Sequence, residues 1–333
     1  MFIRTARTQQ PISLILIPLL GIILWLPGFL NPSPPAIQAL MPFYAPVDAF
    51  CRLHPFFSVF MGFVFSLGTA FVLNFIIHQH QILTKKSWLP ALLFLVLSSS
   101  TKGFLWLNPE LIAGIFILLS LHFLLETYRM DNAIIFIFNA GFFIGLATLF
   151  YFPSIVFVLF SIISIILLRP FTFREWMIML LGSTIVPIYV CVYYFWHNQL
   201  YIKWQELVVI PILNRAFLIN ISQEFYCIVA AMAFLFLVSA LKFLTGADSS
   251  ALKTKTGVSV MIWFLVFAIL GLLVAQNLSV AGTIFAFFPI SIFCGNYFLQ
   301  ARRAWLSEFI FLTLLLSIGC TYAIHLKWIV FYT

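Results

Sequence analysis

The chain has 333 residues, of which 64% are apolar, 18% aromatic and only 8% charged, with phenylalanine alone supplying 41. That balance leaves too little polar surface to cover a soluble domain and excludes one. The formal net charge of +8 comes from short basic clusters between apolar runs, which is how the loops of a polytopic membrane protein carry charge and not how a nucleic-acid-binding face does.

Taken in chain order, Arg4 and Arg7 precede an apolar stretch at 12–30 that ends in LPGFLNPSPP. Its length and the absence of a small-x-small cleavage pattern predict an uncleaved first span. A loop at 31–54 carries Asp48, Arg52 and His54. Spans are then predicted at 55–77, 88–106 and 109–127 from apolar length and bounding charges. Residues 133–168 hold no charge between Asp131 and Arg169. As one helix they would run roughly 54 Å against a hydrocarbon core of about 30 Å. Tyr151-Phe152-Pro153 offers the break, because proline removes a backbone donor and disfavours helix at the residue before it. The segment therefore reads as a transmembrane hairpin, 133–151 and 153–168, with Gly141 and Gly145 in G-x-x-x-G spacing as a close-packing face.

The seventh span is predicted at 176–196, followed by a loop at 197–223. Within it, Lys203 to Arg215 is apolar between charged ends and broken by Pro211, and reads either as an interfacial amphipathic segment or as a packed loop. An eighth span at 224–241, a polar linker at 242–257 and three spans at 258–275, 280–299 and 306–325 complete the chain. The expected fold is all-α, a polytopic transmembrane bundle of about eleven spans, with an eight-span module over 1–241, the linker 242–257 and a three-span module over 258–333.

Charge supports one orientation. With the N-terminus cytoplasmic and the C-terminus periplasmic, 12 of the 17 Lys and Arg residues fall on the cytoplasmic side, as the positive-inside rule requires. The outer face then collects Asp48, Arg52, His54, Lys102, Glu110, Lys203, Glu206, Arg215 and Glu224. Such a mixture beside lipid suits transfer from a phospholipid-linked donor, with a carboxylate taking a proton from the acceptor hydroxyl and Arg or Lys neutralising the departing phosphate. The same residues also read as solvated loop ends. Asp48 with Arg52 and His54 is the densest group. Neither metal nor cofactor is expected: the five cysteines are scattered, with Cys51 in a loop, and the six histidines show no paired placement for haem or iron. His78 and His80 in HQH read as snorkelling to an interface. There is no P-loop, dinucleotide fingerprint or nucleophile elbow.

The blocks LNPELIAGIFILLSLHFLLETYR and NAGFFIGLATLFYFPSIVFVLFSIISIILLRP resemble the middle of GT-C superfamily membrane glycosyltransferases, with Ala140, Gly141, Gly145, Leu146, Ala147 and Leu149 carrying the likeness over roughly 106–196. The whole chain, with SWLPALLFLVLSSS and RPFTFREW, also resembles a polytopic inner-membrane family of Bacteroidota, a likeness that implies the compartment but no activity. The GT-C resemblance implies a periplasm-facing site, a polyprenyl-phosphate-sugar donor and an essential acid in the first outer loop. Asp48 is the only acid there, which makes it the expected base, with Arg52, Lys203 and Arg215 as phosphate ligands. The resulting expectation is a cell-envelope glycosyltransferase in the bacterial inner membrane. The alternatives are a non-catalytic accessory subunit that holds membrane-protein partners, or a lipid or solute transporter.

Overall fold

A computed structural model describes residues 6–7, 11–32, 41–83, 85–170, 172–209, 252–275, 280–300 and 304–325. Among these residues the fold is all-helical. The elements are α1 (Pro11–Leu30), α2 (Ala45–Leu53), α3 (Pro55–Gln79), α4 (Leu89–Ser98), α5 (Pro109–Glu126), α6 (Ile134–Phe150), α7 (Val156–Leu168), α8 (Phe173–Trp196), α9 (Leu200–Trp204), α10 (Leu252–Val274), α11 (Ile284–Gln300) and α12 (Ala304–His325). Six of these helical stretches are long and apolar enough to cross a membrane, and three shorter apolar ones lie at 89–98, 134–150 and 152–168. The chain is a helical membrane protein. The predicted eighth span at 224–241 lies outside the described residues.

α3 shows how such a bundle is written in sequence. Pro55 starts the helix, where a missing N–H costs nothing. Ser58, Gly62, Ser66, Thr69, Ala70, Leu73, Asn74 and Ile77 recur at helical spacing and are buried, while Phe56, Phe60 and Phe75 face outward. Small and weakly polar groups thus meet neighbouring helices and aromatic bulk meets lipid, the arrangement that close helix approach requires. Ser66 Oγ and Ser98 Oγ share a hydrogen bond of 2.9 Å between α3 and α4.

The predicted third span, 88–106, forms differently. α4 has only ten residues, about 15 Å of helix, and the chain then continues as irregular backbone to Asn108 with a 3₁₀ turn at Lys102–Phe104. Non-helical backbone at this depth persists only when protein covers it and satisfies its polar groups. Here the Leu107 N–H donates to Ser58 O at 3.1 Å, and the Tyr322 hydroxyl of α12 donates to Ser99 O at 2.5 Å. Gly62 admits the strand of chain: a Cβ there would sit 2.5 Å from the Trp106 carbonyl carbon.

The hairpin forms with its break at Tyr151, where φ/ψ of −145°/108° leaves the helical region, and a 3₁₀ turn Phe152–Ile155 leads into α7. Its arms diverge. α6 packs on α5 and α8, whereas α7 packs on α10. The Gly141/Gly145 face meets α8 at Met179 and Ser183, and Gly182 of α8 returns the fit against Phe138 and Phe142. The phenylalanines form the dry centre. Phe157 lies 4.9 Å from Phe264 and 5.4 Å from Phe285, ring centre to ring centre, joining α7, α10 and α11, and Phe94 of α4 stacks on Phe288 of α11 at 5.2 Å. The C-terminal helices beyond the predicted linker therefore pack into the N-terminal ones, and α10 begins at Leu252, inside the segment expected to be a polar link.

Candidate functional site

The two ends of the bundle are defined by cross-contacts. Ser58 at the start of α3 meets Leu107 just before α5, and His80 after α3 meets His122 near the end of α5. α3 and α5 are thus parallel, with Asp48 and Glu110 at one end and Glu126 at the other.

At the first end the expected loop contains a nine-residue helix, α2. Its sequence explains it: proline in the first turn, Asp48 near the positive end of the helix dipole and Arg52 near the negative end. The pattern is amphipathic, with Tyr44 and Cys51 buried and Phe50 and Leu53 exposed, which suits a helix lying in the membrane interface. Cys51, expected in a loop, is therefore helical and buried. Asp48 is only 4% exposed, and Arg52 Nε donates to its Oδ2 at 2.5 Å. Glu110, in the first turn of α5, is 5% exposed. The Tyr44 hydroxyl, near enough to both carboxylates for their charges to act on it, donates to Leu107 O at 2.6 Å. Burial, with smaller contributions from Cys51, Asp48 and Glu110, pushes the Tyr44 phenol far above its ordinary pKa, against the pull of Arg52. Burial likewise pushes the Cys51 thiol up. The guanidinium of Arg52 is held protonated mainly by its bond to Asp48.

Asp48, Arg52 and Glu110, expected on the outer face, thus converge around a tyrosine that sequence reasoning passed over. Tyr44 was identifiable in principle from its place one residue before the proline-initiated α2. The other expected residues stand apart. His54 is the exposed joint between α2 and α3, its ring 5.0 Å from Phe50. Lys102 is exposed on the 3₁₀ turn. Lys203 in α9 and Glu206 in the turn that follows bond each other at 2.6 Å, and that bond raises the Lys203 pKa. The segment from Lys203 begins as helix and π-turn to Val209. Pro211, Arg215 and Glu224 lie outside the described residues. Beside the cluster, Pro42 and Phe43 form one wall of a cleft of about 350 Å³ whose other wall is Val186, Tyr189, Val190, Tyr193 and Tyr194 of α8. The Phe43 N–H, hydrogen-bonded to Leu149 O at 3.3 Å, fixes that wall to α6.

A second polar group lies at the opposite end. His80 is 4% exposed, and its Nε2 is 3.1 Å from His122 Nδ1 and 4.0 Å from Glu126 Oε1. The reading of His80 as an interfacial snorkelling residue fails, because its ring turns inward to α5. Elsewhere, Arg169 at the end of α7 and Glu175 in the first turn of α8 form an ion pair of 3.1 Å with both side chains 10% exposed.

Comparison with protein-family models, curated proteins and solved structures finds no match to this chain.

Proposed function

We propose that the protein is a divergent GT-C-like glycosyltransferase of the bacterial inner membrane, working at its Asp48 end on a polyprenyl-phosphate-linked sugar for cell-envelope assembly. The observation that carries the reading is the pair of buried carboxylates, Asp48 and Glu110, gathered around Tyr44 beside a tyrosine-lined cleft open on an apolar helix face. In this reading the cleft takes the first isoprene units of the donor, and the Asp48 end faces the periplasm, as the distribution of basic residues favours. Asp48 accepts the proton of the acceptor hydroxyl. The hydroxyl oxygen then bonds the anomeric carbon as the bond from that carbon to the phosphate oxygen breaks. Arg52, with Lys203 and Arg215, neutralises the polyprenyl phosphate that departs with the electron pair.

Two measurements test this. Native mass spectrometry of protein extracted gently from its own membrane should retain a polyprenyl phosphate or its glycosylated form. Asp48→Asn should abolish turnover while leaving the fold intact; full activity in that variant would refute the assignment. A second reading, a non-catalytic accessory subunit, is favoured by one feature: Asp48 is already closed onto Arg52, and Tyr44 onto Leu107. Stoichiometric protein partners with no bound lipid phosphate would select it.

A further inference from the structure

We infer that His80, His122 and Glu126 form a site for one divalent transition-metal ion of the zinc class, at the end of the bundle away from Asp48. The donors come from two helices. His122 and Glu126 are spaced i, i+4 on α5 and so share a face, and His80 caps α3 directly opposite them. Two imidazole nitrogens and one carboxylate oxygen are a set that suits zinc, with the fourth position left to water or to a further ligand.

His80 and His122 share a hydrogen bond at 3.1 Å, and the same three atoms also stand at distances that fit ligands of one ion. Two donors on a tetrahedral zinc, each about 2.1 Å from it, stand roughly 3.4 Å apart. The His80–His122 separation of 3.1 Å and the His80–Glu126 separation of 4.0 Å bracket that value, and all three atoms lie within 4.8 Å of one another. At 4.0 Å the Glu126 oxygen is too far to accept a hydrogen bond from His80, yet it stands where another ligand of a shared ion belongs. Rotation about the soft terminal torsion of Glu126 closes the remaining gap.

The surroundings are built to hold these groups. Gln79 Nε2 donates to Glu126 Oε1 at 2.5 Å, the kind of outer contact that orients a ligating carboxylate. The Phe75 and Phe123 rings lie 6.0 Å and 5.4 Å from the His122 ring and flank it. His80 N–H is fixed to Ile76 O at 3.0 Å. The next residue, Gln81, has φ of 55°, a left-handed conformation that side chains other than glycine rarely adopt, and its carbonyl is held by Thr254 of α10 at 3.1 Å. The turn that presents His80 is therefore anchored from two helices. Glu126, 24% exposed, gives an ion a way in from water.

The test uses full-length protein without a histidine tag, stripped with chelator and titrated with Co²⁺, whose visible absorption reports a low-coordinate site. Zn²⁺ affinity is then read by competition with a chromophoric chelator. One ion per chain is expected, with the Co²⁺ band lost in His122→Ala and Zn²⁺ affinity at least tenfold weaker in Glu126→Gln, which keeps the side-chain shape. Gln79→Ala should weaken binding about tenfold by loosening the carboxylate. His197→Ala, at the other end of the bundle, should bind as wild type does. Wild-type protein that takes up no ion, or a folded His122→Ala or Glu126→Gln variant with unchanged affinity, overturns the site.

Discussion

Replacing one hydrogen by a methyl group at two glycines of this bundle should move stability in opposite directions. In α6, a Cβ at Gly145 would lie 2.5 Å from Ser183 O, against the 3.4 Å at which ordinary van der Waals contact begins. The partner atom belongs to the backbone of α8 and cannot rotate away, so α6 and α8 must separate by about 0.9 Å. A gap of that order forfeits roughly a quarter to a half of the dispersion energy along the affected contacts, and such overpacking costs about 1–3 kcal/mol. Alanine returns about 1 kcal/mol at most through its greater helix propensity, so Gly145→Ala should lose up to about 2 kcal/mol net. In α3, Gly68 has no atom within 4 Å of its Cβ position, and Gly68→Ala should be neutral or gain up to about 1 kcal/mol. At about 2–4 °C per kcal/mol, thermal unfolding in detergent, followed by tryptophan fluorescence or by resistance to aggregation, should separate the two variants by several degrees. Equal shifts, or a more stable Gly145→Ala, would refute the view that the G-x-x-x-G face is closed by backbone contact with α8.

Three further outcomes follow from individual contacts. Tyr44→Phe leaves Leu107 O without the hydroxyl that reaches it at 2.6 Å and should cost about 1–3 kcal/mol, measured by the same unfolding; no loss would show that water replaces the hydroxyl. In a variant retaining only Cys51, alkylation at pH 8 should be slower than for a free thiol, and its pH midpoint should lie above the ordinary 9.0 because burial keeps the thiol protonated; a midpoint below 9.0 would contradict the buried placement. Arg169→Met and Glu175→Met should each cost about 3–5 kcal/mol by stranding the other charge, and the double variant less than either, since the pair at 3.1 Å is only 10% exposed on both sides; additive costs would show that the charges are not coupled.

Much of the framework was readable from local rules. Pro153 after a charge-free run marked the hairpin, and Gly141 with Gly145 marked its packing face. The partner of that face, Gly182, was not readable, because the reciprocal small residue lies on a helix more than thirty positions away and no periodicity joins them. The third span failed for a related reason. Hydropathy reads 88–106 as one span, but whether SSSTK can unwind inside a bundle depends on donors and acceptors from α3 and α12. α2 escaped notice because nine residues are too few for a span, although its proline, Asp48 and Arg52 stand where helix ends favour them. Asp48, Arg52 and Glu110 could be picked out as charged residues flanking apolar runs, but their convergence on Tyr44 is tertiary. His80 was misread because its partner His122 lies 42 residues further on, and neighbouring Lys85 and Lys86 made the segment look merely interfacial.

The buried charges of this protein share an economy of placement. α5 carries Glu110 in its first turn and Glu126 at its last residue, about 24 Å apart along the axis, with only apolar groups, Ser120 and His122 among the residues between them. At either end of a membrane helix a carboxylate reaches water with little effort, and exposure there is the inexpensive state. Yet Glu110 is 5% and Asp48 4% exposed, and His80, which would meet water if it turned outward, is 4% exposed. Burying such groups costs free energy unless partners return it, and simple exposure would have served stability better. Asp48 recovers part of that cost from Arg52 and His80 from His122, and this partnered burial at both ends of α5 is the observation on which the proposed donor site and the proposed metal site both rest.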